Sequence, residues 1–191
     1  TELIQLLDKN NIGWAFWPMK KIESIAGVTS VTQPKGYQQL LDYWKDGKSK
    51  PSPAFAKKVL MELANNYKLE KVTIRPDVVD AMFRQVQNPT AKAFKKNLLP
   101  ARILATNYDL GTQGVAYYDT DFQNIDGTKF TPYNKGFSLR NDGVDIISSG
   151  NKESKGFQVG FIEAGEWLQY TVTSKKKATY SASITYASAT T

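Results

Sequence analysis

The chain has 191 residues, 25 Lys plus Arg against 18 Asp plus Glu, no Cys and no His. A Ser-His-Asp triad, a thiolate nucleophile, His- or Cys-ligated zinc and a disulfide frame are therefore excluded, leaving carboxylates, lysines, tyrosines and hydroxyls for chemistry. No stretch approaches the roughly 18 apolar residues of a membrane span, and the start, TELIQLLDKNN, lacks the layout of a signal peptide.

Residues 1–97 carry 16 Lys/Arg and nine acids, whereas residues 98–191 carry nine of each, so the whole formal charge of +7 lies in the first half. Gly and Tyr concentrate in the second. Two unlike parts are expected, the first helical and basic, the second built of strands and turns.

In the first part, Leu3, Ile4, Leu6 and Leu7 share a helical face that Asn10-Asn11 ends. Ile12-Gly13-Trp14-Ala15-Phe16-Trp17-Pro18 has the aromatic-rich, continuous apolar character of a strand buried on both faces, as in a parallel sheet. Gly36 to Trp44 predicts a helix with Tyr37, Leu40, Leu41 and Trp44 inward. Pro53 opens another, running to about Tyr67 with Phe55, Val59, Leu60 and Leu63 inward. Pro76 starts a third, carrying Val78, Val79, Met82, Phe83 and Val86, which Asn88-Pro89 ends.

Residues 91–100 read as a linker. Short extended pieces follow, separated by Gly, Asn and Asp: Ile103–Ala105, Val115–Tyr117, Phe137–Leu139, Val144–Ile147, Phe157–Phe161, Trp167–Thr173 and Tyr180–Tyr186. Their number and spacing predict a β-sandwich. Both ends look cut, because one buried strand with a few helices leaves ladder partners missing and about 90 residues is short for such a sandwich.

Ile12 to Lys21, IGWAFWPMKK, resembles the eighth strand and following loop of a glycoside hydrolase family 5 barrel. That resemblance places Trp17 in the wall of the subsite holding the sugar to be cleaved. Residues 103–172 are similar to the family 6 carbohydrate-binding module. The matching blocks are Ala105-Thr-Asn-Tyr-Asp-Leu-Gly111, Gly114-Val-Ala-Tyr-Tyr-Asp-Thr-Asp121, Tyr133-Asn134, Arg140-Asn-Asp-Gly-Val-Asp-Ile146 and Gly156 to Tyr170.

The implied fold is the mostly helical end of a (β/α)8 TIM barrel in residues 1–90, joined to an all-β sandwich (jelly roll, galactose-binding-like) in residues 101–191, incomplete at both ends. The implied parent is a secreted bacterial hydrolase, extracellular or periplasmic, of β-linked plant cell-wall polysaccharide such as β-glucan or xylan. Family 5 enzymes retain configuration with two Glu about 5–5.5 Å apart. The resemblance places both upstream of Thr1, so no catalytic residue is expected here and the chain is expected to bind sugar rather than cleave it.

In the module, the resemblance makes Phe161 the first aromatic of the sugar site, with Tyr133 and Asn134 on neighbouring loops; its second aromatic and an Asn fall after Thr191. Where many members carry an acid, this chain has Ile147. Leu104-Ala105-Thr106 stands in place of Glu-Ala-Glu calcium ligands, so neither a calcium nor any other metal or cofactor is expected.

The chemistry suits the residue types, since an aromatic face covers the C–H face of a sugar while polar neighbours meet its hydroxyls. The alternatives are plainer. Phe161 can be an ordinary core residue of a strand, and Trp17 barrel core; Trp14 reads as core, and Trp167 and Tyr170 as framework. Glu163 and Glu166 would point to opposite faces of a strand, which makes turn roles their better account. The same holds for Asp119, Asp121 and Asp126, which lack EF-hand spacing. Lys20-Lys21, Lys57-Lys58 and Lys95-Lys96 lie on different segments without a nucleic-acid motif, so solvated faces explain them, and neither nucleic acid nor membrane is an expected partner. From another functional class, the competing expectation is a non-catalytic structural or protein-interaction module.

Overall fold

The computed structural model describes residues 1–120, 135 and 138–188. In the first part, α1 (Glu2–Lys9) is followed by β1 (Lys20–Ile22), β2 (Thr29–Val31), α2 (Tyr37–Asp46), α3 (Pro53–Asn66), β3 (Thr73–Ile74), α4 (Pro76–Met82) and α5 (Arg84–Gln87). Strand β2 is central, parallel to β1 and antiparallel to β3. The local chemistry follows the sequence. Ser52 caps α3 by accepting from the Phe55 amide at 3.2 Å with Pro53 in the first turn, and Gly47 ends α2 in a left-handed conformation that suits glycine.

Val31, Leu40, Val59, Val78 and Met82 are the buried apolar residues of this part. Trp44 and Leu60, expected inward, face solvent, and α1 buries no residue at all. The expected strand over 12–17 does not form. These residues run without a ladder, and the parallel pair is made instead by β1 and β2 immediately downstream. A strand without a neighbour leaves every backbone group to water, so apolar character alone does not hold one in place.

In the second part, β4 (Asn97–Leu99) pairs in parallel with β9 (Val172–Ser174). Strand β5 (Tyr117–Tyr118) pairs antiparallel with β8 (Trp167–Leu168), and β6 (Ile146–Ser148) with β7 (Phe157–Val159). Residues read as linker thus take part in the β structure through β4 and through a bridge between Lys92 and Leu110. The core is Tyr108, Ala116, Tyr117, Val144 and Ile146, with Leu139, Phe157, Val159 and Leu168 packed on it. Gly111 is required by close packing, since a Cβ there would lie 2.7 Å from that of Ala116.

Several expected strands differ: of 115–117 only Tyr117 is in a strand, and of 137–139 the described residues 138 and 139 are in none, residue 137 lying outside the described residues. Residues 103–105 lead into a 3-10 turn at Ala105–Asn107, and 180–186 are exposed and unpaired by any ladder. The long 167–173 strand is split, because Asp109 intervenes: its amide donates to the Gln169 carbonyl and its carboxylate takes the Thr171 amide. No closed barrel is present among the described residues, and none of their helices is long and apolar enough to cross a membrane.

Candidate functional site

Four blocks that carry the module resemblance converge in a buried polar scaffold. The Arg140 side chain, 0% exposed, lies with its guanidinium carbon 3.6 Å from the Tyr108 ring centroid and 4.5 Å from that of Phe94. It donates to the carbonyls of Tyr108 and of Asp109 (3.0 Å) and to the Asp142 carboxylate (2.7 Å). Asp142 in turn accepts from the Tyr108 hydroxyl at 2.5 Å, and its carbonyl accepts from Tyr117. Burial opposes the charge of Arg140, but Asp142, Tyr108 and Asp77 together outweigh it, so the guanidinium is held still more firmly protonated. Burial, reinforced by Asp142, pushes the Tyr108 and Tyr117 hydroxyls well up, so both are neutral donors.

Asp109 forms a second node, accepting from the Thr171 amide (2.8 Å), the Thr171 hydroxyl (2.6 Å) and Gln169 Nε2 (3.3 Å). Nearby, burial pushes the Tyr170 hydroxyl up to about 12 while it donates to the Ala105 carbonyl. Buried polar groups with this many partners specify a fold rather than a ligand. The Asp142 carboxylate is thereby engaged internally.

Phe161 is different. It is 57% exposed and its φ of 51° lies in the left-handed region, a costly conformation for a bulky non-glycine residue. The residues on either side hold it there. The Gly160 amide donates to the Asp145 carbonyl at 3.0 Å, and the Glu163 amide donates to Glu166 at 3.0 Å in the following turn. It is therefore a displayed aromatic and not a core residue of a strand.

Lys135, which the sequence did not single out, places its ammonium 5.1 Å from the Phe161 ring centroid. Buried Asp145 anchors that lysine, accepting from its amide at 2.6 Å and pairing with its ammonium at 3.5 Å. On the other side, Glu163 and Glu166 converge instead of diverging, because residues 161–166 form a turn and not a strand. Glu166 Oε1 takes the Thr120 amide (3.0 Å) and lies 2.8 Å from its hydroxyl, which is 3.0 Å from Glu163 Oε2. Beyond this turn Trp167, 40% exposed, is paired with Tyr118, 43% exposed, across β5 and β8. Trp167 is thus half on the surface, where framework packing was expected. Phe161 is thus an exposed aromatic beside an ammonium, and in the adjoining turn two carboxylates and a hydroxyl are bonded to one another; an aromatic face with a polar neighbour is a combination able to meet a sugar ring.

Tyr133 and Asn134 lie outside the described residues, as do Asp121 and Asp126. Trp17 is 89% exposed, and among the described residues no other ring packs on it. Its neighbour Trp14 packs instead, 6.3 Å from the Phe83 ring with its indole N–H donating to Asp8. Trp17 lies in the first part of the chain and Phe161 in the second, and both are exposed. Among the described residues no group of three or more Asp or Glu side chains is placed to hold a metal ion.

No protein-family model, curated protein or solved structure matches this chain.

Proposed function

We propose that the second part of the chain is a carbohydrate-binding β-sandwich of the family 6 type and that it binds plant cell-wall polysaccharide, β-glucan, xylan or a related glycan, at Phe161. The observation that carries this reading is the display of Phe161: a half-exposed ring, in a backbone conformation that costs stability, beside Lys135. Strain of that kind persists where a side chain must be presented. Around it, the blocks that suggested the family are engaged in scaffold hydrogen bonds.

We infer further that the first part is the end of a family 5 glycoside hydrolase barrel, so that the parent is a secreted retaining hydrolase and the module keeps it near its substrate. Holding an enzyme there raises local substrate concentration without changing the chemical barrier. The exposed Leu3, Leu6, Ile12 and Trp17 support this reading, since a barrel end carries apolar faces that further polypeptide covers. The same exposed residues favour, as the second reading, a protein-interaction module. Native electrophoresis through gels containing xylan, mixed-linkage β-glucan or xyloglucan separates the two. Sugar binding predicts retardation in at least one gel that is lost in Phe161→Ala; equal mobility of the folded protein in every gel rejects it.

A further inference from the structure

We propose that Arg75 and Asp77, on the helical part of the chain, are positioning residues for the Phe161 site, clasping the loop that builds it; this rests on the carbohydrate-binding reading above. The two parts meet where α4 begins. Arg75 Nη1 donates to the Leu139 carbonyl at 3.0 Å, and the Asn141 amide donates to Asp77 Oδ2 at 2.9 Å. These bonds bracket Arg140 from outside, while its own side chain is held from inside by Tyr108, Asp109 and Asp142. Leu139 has a φ of 60°, so the clasped residue sits in a conformation the loop does not favour by itself.

From this clasp a short, buried run leads to the site. Gly143, Val144 and Asp145 are buried, and Asp145 both anchors Lys135 and receives the Gly160 amide next to Phe161. A loop fixed at 139–141 therefore fixes Asp145, and Asp145 fixes the ammonium and the backbone that orient the ring. The contact continues along α5, where Arg84 donates to the Thr90 carbonyl at 2.6 Å and to Leu110 at 3.3 Å. A module hung on a flexible tether would show none of this. The geometry is that of a binding site whose shape is set partly by the neighbouring part of the chain.

The full chain, an Arg75→Ala/Asp77→Ala variant and an Asp77→Asn variant are compared by calorimetric unfolding and by affinity electrophoresis in xylan and in mixed-linkage β-glucan. The wild type is expected to unfold in one transition, the double variant in two, with glycan affinity weakened about fivefold below its first transition. Asn at 77 still accepts from the Asn141 amide, so Asp77→Asn should bind like the wild type; general destabilisation is separated by reading the double variant's affinity below its first transition, where its second part is still folded. One transition and unchanged affinity in the double variant would overturn the proposal. Should that variant not fold, hydrogen exchange of the wild type decides. The Asn141 amide is expected to open together with the α4 amides, and its free exchange while β6 stays protected would overturn the clasp. A wild type that unfolds in one transition but is retarded in neither gel would overturn the carbohydrate reading while leaving the clasp standing.

Discussion

Replacing Arg140 by Met tests whether the Arg140-Asn-Asp-Gly-Val-Asp145 block is scaffold or ligand site. Met fills much of the volume but removes the cation from between Phe94 and Tyr108, where it lies 4.5 and 3.6 Å from the ring centroids. It also strips the donor from the Asp109 carbonyl and the partner from the Asp142 carboxylate, which is only 14% exposed. Each buried acceptor left unsatisfied costs about 1–3 kcal/mol. Removing one member of a buried ion pair costs about 3–5 kcal/mol, because the remaining charge is uncompensated. Total stabilities are about 5–15 kcal/mol, so Arg140→Met should remove a large share of the stability of this part. At roughly 2–4 °C per kcal/mol for a chain of this size that unfolds in one transition, its unfolding temperature should fall by more than about 6 °C. Thermal unfolding followed by near-ultraviolet circular dichroism, where Tyr108 and Tyr117 report directly, measures this. A fall of less than about 4 °C would refute the scaffold role.

Asp77 and Asp80, three residues apart on α4, should respond to pH with opposite signs. Burial, against the Asn141 hydrogen bond and with Asp142 adding to it, holds the Asp77 carboxyl above its ordinary value of 3.8, so its ionised form costs stability above the folded value and nothing below the unfolded one. Asp77→Asn should be the more stable protein at pH 7, the difference closing as pH falls below about 4; a less stable variant at pH 7 would contradict this. For Asp80, burial works upward but the hydrogen bonds from Arg84 and Gln85 outweigh it and hold the carboxyl low, so its stabilisation is present above the ordinary value and lost as pH falls through the folded one. Asp80→Asn should therefore lose stability at pH 7 and converge with the wild type in acid, as denaturant titrations at several pH values would show. Phe161→Gly should relieve the left-handed strain, worth about 1–2 kcal/mol, less the roughly 0.5–1 kcal/mol entropy of glycine. Its stability should match or exceed that of the wild type while glycan retardation disappears; a marked loss of stability would mean that Phe161 is a packing residue.

The helices were legible because their signals are local. Pro53 and Pro76 open helices that the structure keeps, and Leu40 and Val59 lie at the period that buries them. Strands were legible only where a partner exists. Residues 157–159 and 146–148 find each other across a turn, whereas 12–17 and 180–186 have strand-like patterns but no ladder. The pairing of β4 with β9 spans residues 97 to 174, a long-range relation that no local pattern encodes. At the site, the family resemblance picked out Phe161, while its positive φ and the nearness of Lys135 required the structure. Asp77 was hidden for a similar reason: in sequence it is an acid in the first turn of a helix, and its partner is the amide of a residue 64 positions away.

The most direct test of the central claim is a titration of isotope-labelled protein with xylohexaose and with a mixed-linkage β-glucan oligosaccharide, followed by amide chemical shifts. Binding at the displayed ring predicts changes concentrated at Gly160, Phe161, Ile162 and Lys135, weaker ones at Thr120 and Glu163, and none at the buried Asp109 node. Saturating changes that instead centre on Trp17, or no change with either oligosaccharide, would contradict the assignment of Phe161 as the sugar platform.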